Sequence, residues 1–153
     1  MIIEITHEDG LFAIPLPAYA HGVNCGGVMG AGIAAEFRRR YSSMFTEYNH
    51  RCCLGLIRPG DIMTWAAPDA WVYNLATQDR PGPDATLSAV YASAVRALVD
   101  ARLRGIPRIG MPRIGCGIGG LTWEDVRSQL LAASVHAPAV ELVIVTLPTG
   151  GTV

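Results

Sequence analysis

Residues 139–147 constrain the fold more than any other segment, because they form an almost unbroken apolar run. The run is too short to span a membrane, and its composition is typical of a strand that is buried on both faces. A sheet with two buried faces needs a layer of helices on each side, and sheets of this kind are mostly parallel. The run therefore predicts an α/β protein.

Strand and helix patterns alternate along the rest of the chain. Runs of β-branched or apolar residues predict strands at 2–6, 18–23, 60–66, 71–76 and 108–112. Apolar residues at helical spacing predict helices over about 30–41, 42–53, 87–104 and 122–135. Ser42 or Ser43 is the expected N-cap of the second helix, and Thr122 that of the fourth. Because 153 residues is the size of one domain, we predict a single domain over residues 1–153, a three-layer α/β/α sandwich with a mixed, mostly parallel central sheet.

Composition and charge exclude several classes of partner. The chain is 50% apolar and 16% charged, which excludes disorder, and its formal net charge is −1. With this charge, and no dense basic block beyond residues 38–40, we expect no duplex nucleic acid as a partner. No apolar run is long enough for a bilayer and the N-terminus lacks signal-peptide features, so we expect no membrane association and a cytoplasmic location. The four cysteines form no Cys-x-x-Cys pair, and we predict no metal and no cofactor.

Two glycine-rich segments, residues 21–34 and 111–121, each follow a predicted strand and lead towards a helix. Glycines let backbone N–H groups approach an anion closely, and the start of a helix favours negative charge. Two such loops at the carboxyl ends of strands in one sheet predict a site that holds a diphosphate from both sides. The alternative is that the glycines only form tight turns. A P-loop and a Rossmann site are excluded, because the chain has no Gly-Lys-Ser or Gly-Lys-Thr and residues 42–53 are predicted to be helical.

The two loops also carry motifs that resemble a known family. The first is Asn-x-x-Gly-Val-Met-Gly-x-Gly-Ile-Ala from residue 24, and the second is Met-Pro-Arg-Ile-Gly-Cys-Gly at 111–117, followed by Trp-Glu at 123–124. These motifs resemble macrodomains, in the branch that contains the terminal ADP-ribose protein glycohydrolase and the DarG antitoxin. The similarity covers residues 2–147. It implies a cleft for ADP-ribose, with ADP-ribose and mono-ADP-ribosylated proteins as partners.

The resemblance also implies which residues contact the ligand. It assigns the adenine end to Asp9 and Gly10, although the family's acidic residue follows its glycine, whereas Asp9 precedes Gly10. The neighbouring Leu11 is also a predicted ligand-binding residue. Asn24 corresponds to the position near the distal ribose. The remaining predicted ligand-binding residues are Gly30, Ala31, Gly32 and Ile33 on the first loop, Thr77 after the fourth strand, and Arg113, Ile114, Gly115, Cys116, Gly117, Ile118 and Gly119 on the second loop.

The sequence departs from the family at two catalytic positions. Gln78 stands where the resemblance implies a nucleophilic lysine, and Gly119 stands where it implies an aspartate. An amide cannot form a Schiff base and glycine cannot move a proton, so the lysyl mechanism is not available.

Two hypotheses about activity remain. The first is hydrolysis of mono-ADP-ribosyl esters on acidic side chains, or of O-acyl-ADP-ribose, by a water that Asn24 or Gln78 positions. The second is a non-catalytic ADP-ribose-binding module; removal of ADP-ribose from nucleic acid is a further alternative. We favour hydrolysis, because we expect a small domain without an attached effector to have little use as a binding module.

Several other residues have both a functional and a simpler interpretation. His21 has the side chain best suited to acid–base chemistry near neutral pH, but such a residue is more often packed at the end of a strand. Cys25 and Cys116 lie in the phosphate loops, where a helix start lowers a thiol pKa, but small buried residues are the simpler interpretation. Asp79 and Asp84 are candidate bases or solvated turn residues.

Overall fold

The central layer of the computed structural model, which describes residues 1–148, is a six-stranded sheet. Its strands are β1 (Ile2–Thr6), β2 (Ala18–Val23), β3 (Ile62–Ala66), β4 (Trp71–Ala76), β5 (Arg108–Met111) and β6 (Glu141–Thr146). They lie in the order β1-β6-β5-β2-β4-β3, and β3 runs antiparallel to β4 while the other neighbouring pairs are parallel. The predicted mixed, mostly parallel sheet is confirmed.

Helices cover both faces of this sheet. They are α1 (Gly32–Arg40), α2 (Ser42–Cys53), α3 (Leu87–Arg104) and α4 (Trp123–Ser134). The first two pack on one face, where Phe37 and Met44 are buried, and the last two pack on the other, where Val90 and Leu130 are buried. The three-layer α/β/α prediction is therefore confirmed. None of the helices within residues 1–148 is both long and apolar enough to cross a membrane.

The apolar run near the C-terminus forms an interior strand, as predicted. Leu142 and Ile144 on β6 belong to the core under α3 and α4, while Val143 and Val145 belong to the core under α1 and α2. Each such side chain stabilises the fold by about 1.5–3 kcal/mol relative to its exposed state. This double burial explains why the run lacks the alternation of a half-exposed strand.

The helix starts differ from the prediction at α2. Thr122 Oγ1 accepts a hydrogen bond from the N–H of Asp125, so the predicted cap of α4 is confirmed. The predicted Ser42 or Ser43 cap is wrong, since Tyr41 is the N-cap and Ser42 is already the first helical residue. The reason is that α1 runs to Arg40 and α2 follows at once, so Tyr41 closes one helix through the carbonyl of Phe37 and opens the next.

A crevice opens between β2 and β5. These strands are in register at a single residue pair, Tyr19 with Gly110. The strand order also reverses here, because the chain after β2 leads through α1 and α2 to β3 on one side, whereas the chain after β5 leads through α4 to β6 on the other. In parallel α/β sheets, ligands bind at the carboxyl ends of strands where the order reverses. The fold thus places both glycine-rich loops at the two sides of this crevice.

Candidate functional site

The main cavity lies at the carboxyl ends of β2, β4 and β5 and has a volume of about 180 Å³. The two glycine-rich loops form opposite walls, and the chain after β4 closes one end. Of the predicted catalytic and ligand-binding residues, the structure brings together Asn24, Gly30, Ala31, Ile33, Thr77, Gln78, Ile114, Gly115, Gly117, Ile118 and Gly119.

A second cavity of about 320 Å³ adjoins the first. It is lined by Asp9, Gly10, Leu11 and Gly32, and it shares Ile33 with the main cavity. The residues predicted at the adenine end therefore lie beside those of the first glycine-rich loop.

Two predicted residues line neither cavity. The guanidinium carbon of Arg113 lies 5.3 Å from the ring centre of Trp123, and its buried Nε has no acceptor within residues 1–148. Cys116 Sγ turns to the carbonyl of Ile114 at 3.4 Å. Neither residue lines the cavity formed by its own loop, so a direct ligand contact through these side chains gains no support from the structure.

The start of α1 faces the main cavity without a cap. Its N-cap is Ala31, which has no side-chain acceptor, whereas α3 and α4 are capped by Thr86 and Thr122. The first N–H groups of an α-helix have no partner inside the helix. They carry partial positive charge, and at α1 they belong to the segment where Ala31, Ile33 and Ala34 line the cavity.

The second loop presents a further set of free donors. Within residues 1–148, the backbone N–H groups of Gly115, Gly117, Ile118 and Gly119 donate no hydrogen bond to protein. Gly115 has a φ of +73°, a conformation that glycine adopts without strain. Unpartnered N–H groups on both walls make the cavity suitable for an anion.

No charged side chain lines the main cavity within the described residues, and its polar side chains are those of Asn24, Thr77 and Gln78. Asn24 Oδ1 accepts hydrogen bonds from the N–H groups of Gly26 and Val28 at 3.0 and 3.3 Å, and Asn24 Nδ2 donates to the carbonyl of Val28 at 2.9 Å. Both ends of this amide are therefore engaged in shaping the first loop.

The amide of Gln78 is fixed in a different way. Its Nε2 donates to the carbonyls of Arg80 and Gly82, at 2.6 and 2.7 Å. Because both partners are acceptors, the orientation of the amide is set, and Oε1 is the atom left to accept a hydrogen bond from the cavity. Asp84 Oδ2 accepts from the N–H groups of Asp79 and Arg80, so its carboxylate holds the same turn together.

Several residues that line the cavity were not among the predicted site residues. Pro81 and Gly82 close the end of the cavity next to Gln78, and Val28 lines its first wall. The Pro-Gly-Pro sequence at 81–83, which begins five residues after the predicted strand end at 76, is the signal that could have indicated a fixed turn beside the site.

Gly119 has no room for a side chain. A Cβ atom at this position would lie 2.7 Å from the carbonyl oxygen of Gly115 and 2.9 Å from Cβ of Ala85. The aspartate that the resemblance implies here could not be accommodated without moving the second loop. The backbone of the second loop therefore leaves space only for glycine at position 119, which accounts for the missing aspartate.

The two loop cysteines are poor nucleophiles. Burial raises the pKa of the Cys25 thiol to about 12, with a smaller contribution from the negative charge of Asp79. Burial likewise raises the pKa of the Cys116 thiol to about 11, against a small opposing effect of Arg113. Thiols that stay protonated at neutral pH are inert, which favours the packing interpretation.

His21 is a packed residue and lines neither cavity. Its ring is fully buried and stacks on Phe37 with 3.8 Å between ring centres. Nε2 lies 2.6 Å from Asn74 Oδ1, and Asn74 Nδ2 donates to the carbonyl of Met63, so Nε2 carries the proton. Burial lowers the pKa of His21 to about 4, which keeps the ring neutral.

Acid should destabilise the fold through His21. Above pH 6.5 the ring is neutral in both states; between pH 6.5 and 4 the unfolded chain binds a proton that the folded chain does not. We expect the free energy of unfolding to fall by about 2.5 kcal/mol between pH 7.5 and pH 4.5 from this residue alone. Urea titrations at the two pH values should show this loss in the wild type and not in His21→Gln, while the exposed control His50→Gln behaves as wild type. Equal losses in all three proteins would exclude His21 as the source.

The sequence matches the model of the Macro domain family over residues 20–130, and the chain therefore belongs to this family. The resemblance predicted from the loop motifs is confirmed.

Individual relatives agree with this assignment. The chain is 34% identical over 152 residues to a Mycobacterium tuberculosis protein named DNA ADP-ribosyl glycohydrolase; the match covers 96% of this chain but only 43% of that relative. It is 28% identical over 145 residues to the human ADP-ribose glycohydrolase OARD1, covering 94% of this chain and 91% of the human protein. The solved macrodomain of Mycobacterium tuberculosis DarG superposes with a TM-score of 0.83 at 32% identity, covering 95% of this chain and 97% of that one.

Proposed function

We propose that this macrodomain binds ADP-ribose and releases it from acidic side chains of mono-ADP-ribosylated proteins, or from related O-acyl-ADP-ribose esters, by attack of a positioned water. The proposal rests on two sets of unpartnered backbone N–H groups on opposite walls of one cavity. One set lies at the start of α1 and the other along the second loop. A diphosphate fits this arrangement, because N–H donors and a helix start stabilise its charge without any lysine or arginine. The adjoining cavity lined by Asp9, Gly10 and Leu11 then has room for the adenosine end.

The chain supports water attack rather than covalent catalysis. Its 12 Lys+Arg residues are all arginines, so no lysine exists anywhere in the sequence. In the main cavity, Gln78 Oε1 is an acceptor that is free to orient an attacking water, and Thr77 offers a hydroxyl group beside it. Asn24 contributes by holding the first loop. Because both ends of its amide are already hydrogen-bonded there, Gln78 is the stronger candidate for the water contact.

The substrate class follows from the leaving group. No titratable side chain lines the main cavity within residues 1–148, so the protein supplies no acid to protonate the departing atom there. When water attacks the anomeric carbon, its oxygen bonds to that carbon and the bond from the carbon to the ester oxygen breaks. The glutamate or aspartate carboxylate then leaves as a stable anion, since its ordinary pKa is about 4, and the proton of the attacking water passes to solvent. A nitrogen of a nucleobase or a guanidine is a far poorer leaving group without protonation. We therefore favour esters over ADP-ribosylated nucleic acid.

A non-catalytic binding module is the second candidate. It is favoured by the same absence of an acid or base in the cavity lining, because binding needs only the loop donors.

Release of ADP-ribose from defined substrates tests the proposal. The chain would be incubated with a protein that carries mono-ADP-ribose on glutamate and with a DNA oligonucleotide ADP-ribosylated on a base, next to protein-free blanks, while calorimetry measures ADP-ribose binding. We expect binding and release from the protein ester above the blank, with slower release from DNA. Binding without release from either substrate would favour the binding module, faster release from DNA would overturn the ester assignment, and absence of binding would overturn the proposed function.

A further inference from the structure

We propose that Tyr48, a residue of α2 that lines neither cavity, is a positioning residue for the first glycine-rich loop; this inference rests on the proposed function and deepens it. The essential juxtaposition is that of the buried Tyr48 hydroxyl with both the backbone and the side-chain oxygen of Asn24.

The Tyr48 hydroxyl lies 2.6 Å from the carbonyl oxygen of Asn24 and 3.0 Å from Asn24 Oδ1. The residue is fully buried in the core between α2 and the sheet, so its hydroxyl has no access to bulk water as an alternative partner. Burial raises the pKa of Tyr48 well above its ordinary value, and the hydroxyl therefore remains a donor. The hydrogen bond fixes the residue at which β2 passes into the loop.

A second side chain of α2 fixes the middle of the same loop. Asn49 Nδ2 donates to the carbonyl of Gly27 at 3.1 Å. Gly27 has a φ of +83°, and a Cβ atom there would lie 3.3 Å from Cβ of Cys52, so the loop backbone packs closely on the helix. Consecutive residues of α2 thus hold two carbonyl groups of the loop from behind.

The effect reaches the cavity through Asn24. Its Oδ1 accepts from the N–H groups of Gly26 and Val28 as well as from Tyr48, which turns those two N–H groups into the loop. The loop is thereby shaped before a ligand arrives, and Gly30 and Ala31 line the cavity wall. A preformed loop spares the ligand the cost of ordering it, so loss of the Tyr48 hydroxyl should appear as weaker binding.

Tyr48→Phe tests this, because it removes the hydroxyl and keeps the ring. The matched control is Tyr73→Phe, which removes another buried hydroxyl. The Tyr73 hydroxyl donates to Asp100 Oδ2 over 2.6 Å, and Tyr73 does not line the main cavity. We expect both variants to lose similar thermal stability, while calorimetry shows ADP-ribose affinity lowered about fivefold in Tyr48→Phe and within twofold of wild type in Tyr73→Phe. Asn49→Ala should also weaken binding.

Amide hydrogen exchange without ligand provides an independent measurement. The N–H groups of Gly26 and Val28 should exchange about fivefold faster in Tyr48→Phe than in the wild type or in Tyr73→Phe. Unchanged exchange at these amides, or affinity of Tyr48→Phe within twofold of wild type, would overturn the inference. If the wild type itself fails to bind ADP-ribose while the exchange difference is present, the proposed function fails and the role of Tyr48 in shaping the loop stands.

Discussion

Replacing Gly119 with alanine should weaken ADP-ribose binding by about tenfold or more. The added Cβ would lie 2.7 Å from the carbonyl oxygen of Gly115, which already accepts a hydrogen bond from the N–H of Leu121. It would also lie 2.9 Å from Cβ of Ala85, whose N–H donates to the carbonyl of Gly119. Neither neighbour is the end of a flexible side chain, so the second loop must shift and its free N–H groups leave their positions. Calorimetry with ADP-ribose measures the loss.

Gly55→Ala is the matched control for Gly119→Ala. Gly55 has a φ of +68°, so alanine there strains the backbone, but nothing lies within 4 Å of the new Cβ and the position is outside both cavities. This control should lower stability and leave affinity unchanged. Gly119→Asp carries the same Cβ and should fail in the same way, so restoring the family's aspartate would not restore its chemistry. Wild-type affinity in Gly119→Ala would refute the argument from space.

Gln78→Glu should lower ADP-ribose release by about thirtyfold, more than Gln78→Ala does. The change replaces the Nε2 donor, which holds the carbonyls of Arg80 and Gly82, with an oxygen that can only accept. Three oxygen acceptors would then face each other at a residue that is only 9% exposed, so that little water could separate them. The turn containing Pro81 must open, and the water contact at Oε1 is lost with it. Steady-state release from a glutamate-linked substrate provides the measurement.

Gln129→Glu controls for the change of charge. It makes the same substitution on α4, at a half-buried position that lines neither cavity, and we expect release at the wild-type rate. Gln78→Ala loses both hydrogen bonds without adding an acceptor and should fall between wild type and Gln78→Glu. If Gln78→Glu released ADP-ribose as fast as the wild type, neither the turn nor the water contact would depend on this amide.

Elements whose signals are local were predictable from the sequence. The double burial of Val143 and Ile144 leaves an apolar run that only an interior strand explains, and Thr122 caps α4 through an acceptor three residues from its donor. The Ser42 cap failed because α2 follows α1 after the single residue Tyr41, which leaves no loop in which Ser42 could act as a cap. Local sequence indicates a helix start more reliably when a loop separates it from the preceding helix.

The candidate site was predictable at the level of loops but not of atoms. The glycine motifs indicated which segments meet at the cavity, whereas the partners of Asn24 and Gln78 depend on backbone carbonyls whose direction no motif specifies. Arg113 and Cys116 belong to a loop motif, yet neither residue lines a cavity, and their side chains contact Trp123 and the carbonyl of Ile114 instead. The contact between Tyr48 and Asn24 could not be predicted, because the two residues are 24 positions apart in the chain and no local pattern links them.

The single registered pair between β2 and β5 has a mechanical consequence. The sheet consists of two halves, β1-β6-β5 and β2-β4-β3. Within the described residues, Tyr19 and Gly110 are the single residue pair that connects them. Within the described residues no second residue pair connects β2 with β5, and the two glycine-rich loops follow strands of different halves. A diphosphate that accepts hydrogen bonds from both loops would link the two halves at their carboxyl ends, so that the bound ligand would itself cross-link the sheet.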